Sequence, residues 1–189
     1  MKLPASRILF FLLALAGAQL ACTISMGGPA YPATRIAVST KAVSEFNQNL
    51  MAAQTAAVQS GILAVSITET QATSLLANNL DTQTDPFILD PQVYLRDGQI
   101  QIYGKASRGN LEANVRITLS AALNPDGKPV VTVTSADFGP LPAPVGLNDT
   151  ISAMIDQAFT GTIGPAATGL RLESITITNG ILTLTGRVK

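Results

Sequence analysis

The sequence of 189 residues contains no histidine and no tryptophan, and Cys22 is its only cysteine. With one cysteine and no histidine, the usual zinc sites and any nucleophile activated by histidine are excluded. A lone cysteine has no partner within the chain, which excludes a framework of intramolecular disulfides. Catalysis by carboxylates alone is the one class that this composition leaves open. We therefore predict that the protein is not an enzyme and that it uses no metal and no cofactor.

Charged residues are also scarce, at 13% of the chain, with 12 basic and 12 acidic residues. Lys2 and Arg7 lie in the N-terminal segment, so the rest of the chain is slightly acidic. It contains no basic stripe that would bind nucleic acid and no polybasic cluster that would bind anionic lipid. The mean hydropathy of +0.32 indicates much apolar surface that must be buried, either in a core or around a ligand.

The N-terminus has the pattern of a secretory signal peptide. Lys2 and Arg7 precede an apolar run of 11 residues from Ile8 to Ala18. This run is shorter than the roughly 20 apolar residues that a membrane-spanning helix requires. We predict that residues 1–21 are a signal peptide and that the protein is exported.

Cys22 has two interpretations. Leu20-Ala21-Cys22 resembles the end of a bacterial lipoprotein signal, in which the cysteine becomes diacylated, although Gln19 occupies the usual leucine position. Cleavage after Ala18 is the alternative, and it would leave Cys22 as a free thiol. We favour lipidation of Cys22, for example with palmitate, because the cysteine follows the apolar run directly. This predicts a protein that is lipid-anchored to the outer side of the cytoplasmic membrane or in the cell envelope.

The mature chain divides into a linker and one domain. Residues 22–34 include TISMGGPAYPAT, which is rich in glycine, proline and small polar residues and predicts a flexible tether. Residues 35–189 are enough for a single domain with a hydrophobic core.

A hairpin motif occurs twice in this domain. LRDGQIQIYGKA at 95–106 and ITNGILTLTGRV at 177–188 share a turn of Asp-Gly or Asn-Gly, alternating isoleucine and leucine, and a later glycine. Asp-Gly and Asn-Gly supply the positive φ angles that a tight hairpin turn requires. The later glycines, Gly104 and Gly186, predict a bulge or bend in a curved sheet.

A third hairpin is predicted from Glu112 to Phe138. Apolar and polar residues alternate along both of its strands, and Asn124-Pro125-Asp126-Gly127 forms its turn. Tyr94 and Tyr103 fall on the strand face opposite the apolar set, where they either form a second packing surface or are exposed.

Three helices are predicted beside these strands. One follows an N-cap at Ser39 and runs to about Gln59, and Thr68-Glu69-Thr70-Gln71 is a capping box that opens a second, short helix. A third lies near residues 147–163, where apolar residues recur at helical spacing. The order helix, strand, helix, four strands, helix, two strands predicts an α+β fold. We expect a highly curved antiparallel β-sheet wrapped around or covered by one or two long amphipathic helices.

The lipoprotein-type leader, the long N-terminal helix, the sequence SITETQATSLL and the DG-x-I-x-I-x-G hairpins together resemble one group of proteins. They are similar, over residues 36–189, to small bacterial proteins of the tubular lipid-binding (TULIP-like) kind, such as the phospholipid-binding lipomannan elongation factor type. Members of that group hold lipid chains in a groove between a curved sheet and a long helix. The resemblance implies a ligand groove lined by residues of two helices and one strand: Val43, Phe46, Leu50, Val115, Ile117, Leu119, Ile151, Ile155 and Phe159.

Two functional hypotheses follow. The first is a membrane-tethered lipoprotein that binds or carries a lipid or another hydrophobic molecule in this groove. The second is a non-catalytic scaffold or interaction lipoprotein of the cell envelope, with a filled core and an unknown protein partner. The sequence does not separate them, because the wall of an apolar cavity and the inside of a core use the same residue types.

Overall fold

The computed structural model of the protein describes residues 24–158 and 170–188. Its helices are α1 (Thr40–Ser60), α2 (Glu69–Asp81) and α3 (Leu147–Ala158). Its strands are β1 (Ile24–Ser25), β2 (Ile62–Thr68), β3 (Leu89–Arg96), β4 (Gln99–Arg108), β5 (Leu111–Leu123), β6 (Pro129–Asp137), β7 (Leu170–Thr178) and β8 (Ile181–Val188). The predicted order of elements is confirmed, with the short strand β1 in addition.

The strands form two sheets. In the first sheet β3, β4, β5 and β6 are consecutive antiparallel neighbours, and β1 pairs in parallel with β5 beyond the end of β6. This sheet is strongly curled into a half-barrel. The second sheet is antiparallel and has the order β2-β8-β7. The predicted α+β fold with a highly curved antiparallel sheet is confirmed.

The two ends of the first sheet differ. We call the end with the β4–β5 turn and β1 the proximal end, and the end with the β3–β4 and β5–β6 turns the distal end. The second sheet lies across the distal end, where the backbone N–H of Leu172 donates to the carbonyl of Gly127 at 3.2 Å. At the other side of that end, the N–H of Gly180 donates to the carbonyl of Leu95 at 3.1 Å. The β7–β8 hairpin therefore spans the distal end.

Both repeated hairpins are present as predicted. Asp97 and Asn179 have positive φ angles of 55° and 53° in the two turns. Gly104 and Gly186 lie opposite irregularities of register in β3 and β7, respectively. A side chain at Gly104 would overlap the fully buried side chain of Ile88. The predicted association of these glycines with bulges is thus confirmed, and at Gly104 the missing side chain also makes room for core packing.

The predicted helix starts are also confirmed. The hydroxyl of Ser39 accepts a hydrogen bond from the N–H of Ala42 at 3.3 Å, which caps α1. Thr68 and Gln71 form the reciprocal capping box of α2, with hydrogen bonds of 3.2 and 3.0 Å. The predicted continuation of the third helix to Ile163 lies outside the described residues. Within the described residues, each helix is too short or too polar to cross a membrane.

Residues 24–38, which we call the strap, pack along the convex face of the first sheet. The N–H of Ile24 donates to the carbonyl of Asn110 at 2.9 Å, and that of Met26 donates to the carbonyl of Glu112 at 2.7 Å. The described part of the segment predicted as a tether is therefore hydrogen-bonded to the domain, and the division into residues 22–34 and 35–189 stays a prediction. Its glycines and prolines disfavour a helix or a long strand, but they do not prevent the backbone from pairing with a sheet edge.

Three tyrosines fasten the middle of the strap to the sheet. The ring of Tyr31 packs on that of Tyr103 with centroids 6.0 Å apart, and Tyr94 meets Tyr103 edge-on at 5.6 Å. The hydroxyl of Tyr94 donates to the carbonyl of Thr34 at 2.6 Å. The two ring–ring contacts have centroid distances that aromatic side chains favour, and a buried tyrosine hydroxyl usually finds such a hydrogen-bond partner. Of the two alternatives for Tyr94 and Tyr103, the second packing surface is the one observed.

Polar contacts fasten the end of the strap. Gln92 binds both backbone groups of Ile36, accepting from its N–H at 2.6 Å and donating to its carbonyl at 3.1 Å. Arg35 forms an ion pair with Asp90, and this hydrogen bond raises the pKa of the guanidinium. The strap is therefore held at its start, middle and end.

We expect Gly28→Ala to destabilise the fold more than Gly27→Ala. Both glycines have positive φ, 105° and 84°, so alanine costs about 1–2 kcal/mol at either position. At Gly28 the added Cβ would also overlap the carbonyl of Asn114, whereas at Gly27 it would meet nothing within 4 Å. Urea unfolding of the two variants measures the difference, and equal losses would contradict the close packing of the strap on β5.

We also expect Tyr31→Phe to leave stability at neutral pH almost unchanged, because the buried hydroxyl of Tyr31 has no hydrogen-bond partner among the described residues. Tyr94→Phe is the matched control, and it loses the bond to Thr34 at a cost of about 1 kcal/mol. A cost for Tyr31→Phe as large as that for Tyr94→Phe would contradict this assignment.

Tyr31→Phe should also change how the stability of the protein depends on pH in the alkaline range. Burial, and then the carboxylate of Asp90, raises the pKa of Tyr31 from 10.0 to about 12. The unfolded chain therefore loses this proton first, so the contribution of Tyr31 to stability is complete below pH 10.0 and is lost as the pH rises towards 12. We expect Tyr31→Phe to make this alkaline decline smaller in urea unfolding, while the part due to Tyr94, whose pKa burial also raises, remains.

Candidate functional site

The concave face of the first sheet carries a continuous set of aliphatic side chains. Because side chains alternate between the two faces of a strand, every second residue of β3, β4 and β5 points to this side. Val115 and Ile117 on β5 are fully buried, at 0% exposure each. Neighbouring strands align their aliphatic residues in two rows, Val93-Ile102-Ile117 and Leu95-Ile100-Leu119. We call the apolar region that this face lines the interior.

Elements from four other parts of the chain cover the interior. Leu80 of α2, Ile151 of α3 and Phe138 after β6 are buried against the sheet. Ile177 and Leu182 of the second sheet pack against the same cluster and are half-buried. Each of these elements therefore contributes apolar surface to the interior. Surface of this kind is stabilised by burial and dispersion against other apolar groups, and it would penalise a charged group that has no partner there.

The two ends of the interior differ in chemistry. At the distal end, the carboxylate of Glu69 accepts from the N–H of Leu95 at 2.8 Å, and the N–H of Glu69 donates to the carbonyl of Gly180 at 3.2 Å. These bonds close the end beneath a polar surface depression of about 420 Å³. At the proximal end the buried side chains are Ile88 and Phe138, which are apolar. Among the described residues, the distal end is therefore closed by polar hydrogen bonds and the proximal end by apolar side chains.

The structure brings together four of the nine residues predicted to line a groove. Val115, Ile117, Leu119 and Ile151 all belong to the interior. The side chain of Ile155 lies outside the described residues, as do Phe159 and the predicted lipidation site Cys22. The groove as a ligand site remains a prediction.

The other three predicted groove residues lie on α1. Phe46 and Leu50 are buried in a second cluster, against Leu63 and Val65 of β2, and Val43 is half-buried. Helix α2 packs against both clusters. Its Leu75 packs on the second cluster, whereas Leu76 and Leu80 pack on the interior. Adjacent positions of a helix point in different directions, which is why α2 can contribute to both.

Several interior residues were not in the predicted set. Leu80 and Ile88 are buried in the interior, and Ile177 and Leu182 are half-buried against it. Their apolar character and period were visible in the sequence, and Ile177 and Leu182 belong to the second copy of the hairpin motif. No local signal indicated that this hairpin crosses the end of the first sheet.

The site offers no metal chemistry in the part of the chain that the structure describes. Over residues 24–158 and 170–188, no group of three or more cysteine, aspartate or glutamate side chains is arranged to hold a metal ion.

We expect substitutions in the two clusters to act independently. Phe46→Leu in the second cluster and Ile117→Val in the interior remove apolar contacts, and Ile→Val alone typically costs about 0.5–1.5 kcal/mol. In urea unfolding, the double variant should match the sum of the single variants within about 0.5 kcal/mol. A larger coupling energy would show that α1 and the interior form one continuous cavity wall.

Comparison with known proteins gives one match. A family model described as LmeA-like phospholipid-binding matches residues 11–187, nearly the whole chain. No curated protein matches, and no solved structure matches.

Proposed function

This chain belongs to the LmeA-like phospholipid-binding family, and we propose that it binds the acyl chains of a phospholipid in the interior. Family membership supports lipid binding as such. The observation that carries the location is the apolar lining of the interior, enclosed by the curled sheet, α2, α3 and the second sheet.

Helix α3 is the element that we propose to make room for the lipid. It packs against β6, and Ile151 places its side chain in the interior. The segment before it, residues 139–146, contains three prolines and two glycines and has no regular structure, so few backbone bonds hold α3 to the strands. An acyl chain would replace the contact of Ile151 with the interior and gain about 25 cal/mol for each Å² removed from water.

The phospholipid headgroup stays outside the interior in this proposal. A phosphate carries charge, and burying it without a partner costs several kcal/mol or more. We propose a non-catalytic role, with the protein exported by the signal peptide at residues 1–21. Acylation of Cys22 then holds it on the outer side of the cytoplasmic membrane or in the cell envelope.

Two tryptophan variants test the location of the lipid. Val133 on β6 is half-buried against the interior, whereas its neighbour Thr132 is exposed on the opposite face of the same strand. We expect lipid to co-purify with the wild-type mature chain prepared without detergent. We expect Val133→Trp to lose most of this lipid, because the indole fills the space beside α3, and Thr132→Trp to retain it. Native mass spectrometry of the intact chains measures occupancy, and circular dichroism confirms folding.

The outcomes separate the two parts of the proposal. A folded Val133→Trp variant with full lipid occupancy would place the lipid elsewhere on the protein. A wild-type chain that neither carries lipid nor takes it up from vesicles would contradict lipid binding itself. That result would favour the scaffold hypothesis with a filled core.

A further inference from the structure

We propose that the proximal end of the first sheet is the surface that docks on a phospholipid bilayer, and that the strap fixes this orientation. This inference rests on the proposed function only in taking a lipid membrane as the partner.

The first argument is the point at which the chain joins the fold. Ile24 is hydrogen-bonded to Asn110 in the β4–β5 turn, at the proximal end. The apolar run Ile8–Ala18 and Cys22 both precede this point in the chain. Cys22 is two residues before Ile24, which is at most about 8 Å of extended chain. Any attachment of the membrane to Cys22 therefore holds the proximal end close to the bilayer.

The second argument is that the strap prevents the domain from rotating freely about the point where the N-terminal part of the chain joins it. A flexible linker of a dozen residues would let the domain present any face to the membrane. Here the strap is bonded to β5 at its start and packed on Tyr103 and Tyr94 in its middle. Directly after the strap, the N–H of Ser39 donates to the hydroxyl of Ser74 on α2 at 3.0 Å. The direction in which the chain leaves the domain is therefore fixed.

The third argument is the exposed side chains at this end. Ile24, Met26 and Leu89 are 57%, 41% and 41% exposed. Leu89 is level with Lys105 of β4, near the end of that strand, so all three lie at the proximal end. Exposed aliphatic residues also occur at the distal turns, at Val130 and Ile181, so these three allow contact with an apolar partner and the position of Ile24 selects the end. Arg108, exposed beside the β4–β5 turn, pairs with no acidic residue in the described ranges and suits a lipid phosphate.

The fourth argument is access to the interior. The second sheet covers the distal end, and a polar hydrogen-bond network closes it around Glu69. The proximal end is closed instead by the buried apolar side chains of Ile88 and Phe138, which an acyl chain can displace without leaving a polar group unpaired. A domain docked by its proximal end would pass acyl chains between bilayer and interior without exposing them to water.

Single tryptophans test the orientation, because the chain has no tryptophan of its own. Asn110→Trp places the indole in the proximal β4–β5 turn, and Asp126→Trp places it in the distal β5–β6 turn, where both native residues are exposed. The 13 residues of β5 separate the two turns, a contour length of about 40 Å. The chain from Cys22 onward is coupled through its only thiol to a maleimide phospholipid in vesicles of dibrominated phosphatidylcholine, whose bromine quenches nearby indoles.

We expect Asn110→Trp to lose most of its fluorescence in these vesicles and Asp126→Trp to keep most of it. Adding Gly28→Val, which would push the strap away from Asn114, should abolish the difference between the two probes. Equal quenching of both probes with the strap intact, or stronger quenching at the distal turn, would overturn the proposal. If equal quenching came with dimers on the vesicle, the proximal end would instead be assigned to a second copy of the chain.

This result does not depend on lipid in the interior. A chain that docks as expected but carries no lipid would contradict the proposed function and leave the docking surface intact. A chain that carries lipid but shows equal quenching would do the reverse.

Discussion

The rest of the structure depends on strand β5, because each of its faces and edges has a separate role. Its inner face buries Val115 and Ile117 completely and forms the centre of the interior. Its edges pair with β4 on one side and with β6 and β1 on the other. Beyond the end of β6, the backbone of Asn114 on this second edge also contacts the strap, donating its N–H to the carbonyl of Gly27 and lying directly against Gly28. A slip of one residue in the register of β5 would exchange the two faces and undo both the interior and the strap.

When one face of a sheet is apolar, that face must be shielded from water. A helix or a lipid chain can do this, because each buries the same apolar surface. The interior is closed by Leu80 of α2, by Ile151 of α3 and by the second sheet, each of which contributes aliphatic surface. Helix α2 and the second sheet are tied to the first sheet by polar bonds around Glu69. Helix α3 is joined through an irregular segment that contains three prolines, and it is the cover that we propose a lipid to replace.

The strap determines at which end of the first sheet the N-terminal part of the chain lies. The curled sheet alone has two ends, and the second sheet occupies one of them. The strap brings the N-terminal part of the chain to the other end and holds it there with tyrosine packing and with backbone bonds to β5. A segment with the composition of a linker thereby fixes the end of the sheet at which the preceding residues join the domain.

The sequence by itself determined the local structure, because turns, caps and alternation depend on residues close together in the chain. Asp97 and Asn179 in the turns, the cap at Ser39 and the inward face of β5 were all predictable in this way. Tertiary structure alone decided which apolar faces meet. Phe46 and Ile117 are both apolar, yet they lie in different clusters, with α2 packed against both. The strap likewise packs on the sheet although its composition is that of a linker. Hydrophobic burial is non-directional, so it specifies that a face must be covered but not by what.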